Sequence, residues 1–364
     1  MSRADLCRPV IAPGVAQLAG VADLAGVARV ATLTRVATLT RVAAVTRVAA
    51  VAAWIAVVAI AALSPCVRAG IPGSESGAFA PIDVGARALG MGGAVRATVQ
   101  GAWATYWNPA NLFDVEEPEL AVDYADLFGL GIASHTSLAF AWRSRPTRNV
   151  IRDERLVEVP RERGVLAWGL ALGVTRVDLE PEAYTEVTPS ISLAGQPWRA
   201  TTVGGTFRIL RAGSDLDEVS ALGYAIDLGL TTRRLPWTTV ALTVQNLLST
   251  VSWSDEISDT LPVEVTLAVA SQASHSVLVA AELSGSTDNV PLRVARFGGE
   301  WNHASGLLAL RAGGIWHEDR GDDDAFDATF GASAGVAGIR ADYAFVGQNE
   351  ALGNTHRFSL RMRF

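Results

Sequence analysis

The chain has 364 residues, of which 49% are hydrophobic and 18% charged, and a net charge of −7. All 30 basic residues are Arg, and they are scattered; an acidic chain without a basic patch argues against a nucleic-acid partner. Both cysteines, Cys7 and Cys66, lie near the start, so no disulfide, thiol nucleophile or Cys metal site is expected beyond them.

In chain order, the first feature is a hexapeptide repeat beginning at Arg29, Arg35, Arg41 and Arg47. A period of six matches no helical face, and low-complexity coding or a misplaced start codon explains it. The apolar run Ala52–Leu63 follows, with Arg41 and Arg47 before it and Val67-Arg68-Ala69 after it. This is the layout of a signal peptide cleaved near Ala69/Gly70. The alternatives are an uncleaved anchor, for which the run, even extended back over Val48–Ala50, is short at about 16 residues against ~20, and a lipoprotein at Cys66, where Pro65 is unfavourable. Residues 1–69 carry seven Arg against Asp5 and Asp23, so the −7 of the whole chain becomes −12 beyond them. The expected organisation is an exported extension (1–69), a connecting N-terminal segment (70–117) and a body (118–364).

The body contains no apolar run long enough for a transmembrane helix. It is a train of short segments in which large apolar residues alternate with small or polar ones. Leu120, Val122 and Tyr124 oppose Ala121 and Asp123; Thr136, Leu138, Phe140 and Trp142 oppose Ser137, Ala139 and Ala141. Leu166, Trp168, Leu170 and Leu172 oppose Ala167, Gly169, Ala171 and Gly173, and the run from Leu222 to Thr231 repeats the pattern. A lipid-facing surface around a crowded interior demands this, whereas a soluble sandwich shows charges outside.

Fourteen strands are predicted near 118–126, 135–143, 164–176, 187–194, 200–211, 220–232, 237–247, 262–271, 274–284, 291–301, 306–317, 325–335, 337–346 and 355–364. The fold class is all-β, a 14-stranded antiparallel transmembrane barrel; even parity suits a first strand that starts, and a last strand that ends, on the periplasmic side. The polar stretches Ser144–Arg163, Ala212–Val219, Leu248–Leu261 and Glu318–Asp324 read as external loops. Trp142, Trp198, Trp237, Trp253, Trp301 and Trp316 sit near strand ends, where interfacial girdles place aromatics.

In the last segment His356, Phe358, Leu360, Met362 and Phe364 alternate with Arg357, Ser359, Arg361 and Arg363. An outward apolar row ending on an aromatic, Phe358, Leu360, Met362 and Phe364, resembles the C-terminal signal read by the barrel insertion machinery. The inward Arg357, Arg361 and Arg363 then need partners in the lumen or a solvated lumen; Asp342 and Glu350 are the candidates.

Residues 85–112 read GARALGMGGAVRATVQGAWATYWNPANL. This segment resembles the opening motif of the PorV/PorQ family of outer-membrane proteins, relatives of the FadL-type transporters, with Asn111 in place of the family's usual Gly. Further similar stretches are Ala225–Gly229, Val244–Leu247, Leu261-Pro262, Asp342–Phe345 and Leu352–Leu360. The resemblance implies that the N-terminal segment folds into the lumen as a plug, or hatch. Gly85, Gly90, Gly92 and Gly93 would permit close backbone approach. Tyr106 and Trp107 would be buried with the plug, and Asn108-Pro109 would end it in a rigid turn. An ordinary surface loop is the competing reading.

Catalytic groupings are not expected: the five His lack metal-ligand spacing, and no Gly-x-Ser-x-Gly elbow occurs. The acidic tip of His317-Glu318-Asp319 and Asp322–Asp324 lacks EF-hand spacing. No enzyme activity, cofactor or metal is predicted. Two functions share the fold. One is FadL-like passage of a small hydrophobic compound with the plug as gate. The other is a receiving role for secreted cargo proteins in a type IX-like system. The expected location is the outer membrane, with the lipid bilayer as partner.

Overall fold

The computed structural model describes residues 78–364 except 128, 145–146, 153–154, 161–164, 180–181, 215–219, 255–256, 287–292, 319–324 and 348–353. The expected export segment, Glu350 and the acidic residues beyond Glu318 lie outside the described residues.

In chain order the strands are β1 (Glu119–Leu127), β2 (Ala133–Arg143), β3 (Thr147–Arg152), β4 (Arg155–Pro160), β5 (Leu166–Leu179), β6 (Glu182–Trp198), β7 (Thr201–Ser214), β8 (Ser220–Leu235), β9 (Thr238–Trp253), β10 (Ser258–Asp259), β11 (Glu264–Gln272), β12 (Val277–Ser286), β13 (Arg293–Asn302), β14 (Leu308–His317), β15 (Phe326–Val336), β16 (Ile339–Val346) and β17 (Thr355–Arg363). All but β3, β4 and β10 form one closed antiparallel ring of 14 strands. The last strand closes on the first, from Glu119↔Arg363 to Asp126↔His356. Every one of the fourteen expected segments overlaps a ring strand. The fourth extends well beyond 187–194, to Glu182–Trp198.

Alternation explains the ring. In β1 and β2, Ala121, Asp123, Ala125, Ser137, Ala139 and Ala141 are buried inside, while Val122, Tyr124, Leu138, Phe140 and Trp142 are exposed outside. The same outward apolar row runs through Leu170, Leu172, Ile191, Leu193, Phe207, Leu228, Leu242, Phe297, Leu310, Phe330 and Leu360. A closed ring leaves no unpaired strand edge in hydrocarbon, and lipid covers the apolar row.

Two-residue turns at 199–200, 236–237 and 337–338 share one end with Glu119 and Arg363. This is the periplasmic end, since barrels keep short turns there and longer connections outside. Trp142, Trp168, Trp198, Trp237 and Trp301 ring it, all exposed. Trp316 is exposed at the opposite end, but Trp253 departs from the expected girdle and packs on the inner cluster of Phe79, Leu210 and Val251.

The stretch Ser144–Arg163 is also misplaced by the sequence reading. It connects β2 to β5 at the periplasmic end and contains the β3–β4 hairpin, registered from Thr147↔Pro160 to Arg152↔Arg155. Its length and polarity suggest an external loop, but strand parity decides. β1 leaves the periplasmic end, so β2 returns to it. Part of Leu248–Leu261 is strand as well, because β9 runs on to Trp253.

Candidate functional site

Residues 78–118 run inside the ring. Two single-turn helices, α1 (Ala86–Leu89) and α2 (Ala104–Trp107), are linked by turns, and a 3₁₀ stretch, Pro109–Asp114, leads to the first strand. Asn108 starts that stretch: its side chain accepts a hydrogen bond from the Ala110 N–H at 3.1 Å, and Pro109 occupies the first position. Both choices suit a helical start, where side-chain oxygens satisfy free N–H groups and Pro has none to lose. Met91, Val95, Trp107 and Leu112 are buried, forming a core with inward wall residues such as Ala121, Ala139, Ala141 and Ala344. Each large side chain removed from water contributes ~1.5–3 kcal/mol.

Glycines let this backbone touch the wall. Gly92 has φ +64°, and a Cβ there would lie 2.7 Å from the Gly314 carbonyl oxygen and 2.8 Å from that of Phe297. The wall is bare to match: a Cβ on Gly298 would meet the Met91 oxygen at 2.3 Å, and one on Gly313 the Met91 carbon at 2.4 Å. The Gly92 N–H donates to Thr329 Oγ1 at 2.9 Å. A second seat receives the Asn108-Pro109 turn, where a Cβ on Gly204 would stand 2.5 Å from the Pro109 carbon and one on Gly229 2.2 Å from Asn108 Oδ1. Thus Gly90, Gly92, Asn108 and Pro109 all rest on wall glycines, whereas Gly85 faces the Trp103 ring and Gly93 the Arg296 side chain.

Polar contacts reach strands on every side of the ring. The Ala86 N–H donates to Ser359 Oγ at 2.6 Å and the Ala102 N–H to Glu119 at 2.9 Å. Asn108 Nδ2 donates to Thr231 Oγ1 at 2.9 Å, and the Arg87 guanidinium to Glu300 at 2.8 Å. Arg96 is the central anchor. Its guanidinium donates to Glu282 and Gln245, each at 2.9 Å, and to Glu264 at 3.2 Å. It also lies 5.0 Å from the Trp107 ring centre. The Arg96 carbonyl accepts from Asn108 Nδ2 at 2.8 Å and Asn111 Nδ2 at 2.9 Å. Burial works against its charge, but Glu282, Glu264 and Asp83 outweigh burial and hold it charged beyond the ordinary arginine range. Sequence reading missed Arg96 because the arginines looked scattered. The available signal was that Arg87 and Arg96 are the two cations of a segment, 85–112, otherwise mostly apolar or small.

The charges of the last strand resolve into pairs. Arg357 donates to Asp123 at 2.6 Å, and Ser359 Oγ donates to the same carboxylate at 2.6 Å. Arg361 pairs with Asp342 at 3.1 Å, and Arg363 with Glu119 at 2.9 Å. Asp342 is the partner named from the sequence; Asp123 and Glu119, which face β17 across the closing seam, were not named there. Phe358, Leu360 and Phe364 are exposed outward, and Met362 is half-exposed.

The luminal segment separates two spaces. Towards the periplasm lies a polar vestibule of about 760 Å³, bordered by Arg87, Asp114, Glu116, Arg340, Arg361 and Arg363. Towards the outside lies a smaller cavity of about 80 Å³, bordered by Phe79, Pro81, Ile82, Trp103, Tyr106 and His135 among others. Phe79 is held there by its N–H donating to Glu186 at 2.8 Å. Among the described residues no His, Cys, Asp and Glu grouping could hold a metal ion.

No family model matches the chain, and no curated protein matches it. Solved structures do. The CymD monoaromatic hydrocarbon channel aligns over 79% of this chain and 99% of its own, at 14% identity and a TM-score of 0.57. A TodX monoaromatic hydrocarbon channel mutant aligns over 77% and 99%, at 14% identity and a TM-score of 0.53. A FadL homologue from Pseudomonas aeruginosa aligns over 77% and 98%, at 12% identity and a TM-score of 0.51. At such identities the likeness is one of fold. Together with the apolar outer surface, this fold places the chain in the bacterial outer membrane.

Proposed function

We propose that the chain passes a small hydrophobic compound across the outer membrane, with residues 85–112 as the gate. One observation carries this reading: the lumen is divided by the luminal segment into a small outer cavity and a wide polar vestibule. A compound that partitions into the outer cavity finds apolar side chains of Phe79, Pro81, Ile82 and Trp103. To continue, it must displace part of a segment held by backbone contacts with glycines and by the Arg96 anchor. Solutes the size of sugars would be excluded while the segment is seated. The similar solved structures that are monoaromatic hydrocarbon channels support the same direction.

Within that role, the motif at 85–112 favours a PorV/PorQ type, and the outward row Phe358, Leu360, Met362 and Phe364 is the candidate signal for the insertion machinery. The role is passage, without bond-making chemistry. Uptake of radiolabelled toluene by cells producing the full chain is the test. Faster uptake than in cells lacking it is expected; equal rates at comparable outer-membrane levels of protein would count against the proposal.

A further inference from the structure

The periplasmic vestibule has a charge of its own. Six arginines border it against four carboxylates, an excess of two cations in a chain that is acidic overall. Four of these arginines are held in ion pairs: Arg87 with Glu300, Arg233 with Asp114, Arg361 with Asp342 and Arg363 with Glu119. Asp342 lies outside the border and is shared with buried Arg311, so those two add no net charge. Glu116 is exposed at the mouth.

Arg143 and Arg340 are held differently. Arg340 donates to the Gly306 carbonyl at 2.6 Å. Arg143 donates to the Phe113 carbonyl, with its guanidinium 5.3 Å from the Phe113 ring centre. Both are half-buried, and neither makes an ion pair among the described residues. A carbonyl and a ring face position a guanidinium, but they leave its full charge to the vestibule. Low-dielectric walls focus that charge on whatever enters, and the planar fork of arginine matches carboxylates.

The spacing of the two selects the ligand. Strands β16, β17, β1 and β2 stand side by side in the ring. Arg340 lies opposite Arg361, Arg361 opposite Ala121 and Ala121 opposite Ala139, with Arg143 further along β2 towards the rim. Three steps between strands and the run from 139 to 143 put the two Cα atoms about 20 Å apart along the wall. An extended chain of about six residues spans that distance, whereas a small anion does not. A vestibule of about 760 Å³ has room for such a chain to enter. It lies inside the ring, out of reach of lipid headgroups.

We propose that the vestibule docks an extended acidic segment of a periplasmic protein, with Arg143 and Arg340 at the two ends of the contact. Arg87 and residues 97–100 of the luminal segment also border the vestibule, so the docked segment would touch the gate from its periplasmic side. The proposal adds a partner to the passage reading and does not rest on it.

The test uses the full chain in lipid nanodiscs, with fluorescein-labelled hexaglutamate as probe and fluorescence anisotropy as readout. Unlabelled hexaglutamate should displace the probe; hexaglutamine and pyrophosphate should displace it at least tenfold less well. Arg143→Gln and Arg340→Gln should each weaken binding by about 2- to 5-fold, and their effects should multiply because the sites are far apart. Arg176→Gln, on the outward face at the opposite end of the barrel, should bind as the wild type does. Heat-modifiability on a gel checks that each variant assembles, and the competition arms need no variant. Absence of probe binding, or displacement by hexaglutamine as readily as by hexaglutamate, overturns the proposal. Pyrophosphate competing as well as hexaglutamate would make the vestibule a small-anion site and overturn it too. So would an unchanged affinity in the assembled double variant, or an equal loss in Arg176→Gln. None of these outcomes bears on whether toluene passes, which the uptake experiment decides separately.

Discussion

Gly92→Ala is the sharpest perturbation of the luminal segment. At φ +64° an L-residue pays about 1–2 kcal/mol in backbone strain. Its methyl would also sit 2.7–2.8 Å from backbone atoms of Gly314 and Phe297, which belong to hydrogen-bonded strands and cannot step aside. Overpacking of this kind costs about 1–3 kcal/mol. The seated state should lose about 2–5 kcal/mol, which shifts the seated-to-unseated ratio by about 30- to 4,000-fold. Gly306→Ala is the control, because Gly306 has φ +70° with nothing within 4 Å of a built Cβ, so strain acts there without a clash. Heat-modifiability on a gel reports barrel assembly, and planar-bilayer recording reports conductance. Both variants should assemble, and only Gly92→Ala should raise conductance. If the two conduct alike, the wall does not hold the segment at Gly92.

Asp123→Asn removes the partner of buried Arg357 and should lower the urea stability of the lipid-embedded barrel by about 3–5 kcal/mol; a loss below ~1 kcal/mol would mean the seam pair is solvated. Arg96→Met removes the guanidinium that bridges Glu282 and Glu264 and should unseat the segment, seen as increased conductance from an assembled barrel; wild-type conductance would remove Arg96 as the anchor. Leu138→Arg puts a charge on the outward face and should cost about 2–4 kcal/mol in lipid-embedded stability. A neutral effect would show that this face does not meet hydrocarbon. A cysteine at position 106 should react slowly with a polar maleimide added from the periplasmic side, since Tyr106 borders the outer cavity; fast labelling would contradict the placement.

The strands were legible because lipid outside and a crowded interior impose a period of two on every segment, and Leu138, Ala139 and Phe140 state it plainly. The register of the closing seam was not legible. Arg357 meets Asp123 at a separation of 234 residues, and no local pattern in either strand names the other. Glycines in the plug were singled out for their backbone freedom, but their counterparts, Gly298, Gly313 and Gly204, read only as small interior residues. The match between the two sets exists only once the segment is inside the ring. The β3–β4 hairpin was misassigned because length and charge were weighed above strand parity. Arg96 was missed for a related reason: its acids, Glu264 and Glu282, lie on two adjacent strands far along the chain and converge only on closure.

The most direct test of passage uses purified full chain in liposomes, free of cells and insertion machinery. Influx of radiolabelled toluene is measured beside that of ribose, against liposomes without protein. Toluene influx should exceed the protein-free rate and saturate with concentration, while ribose stays at the protein-free rate. Toluene entering no faster than into empty liposomes, or ribose entering as readily as toluene, would contradict a gated hydrophobic channel.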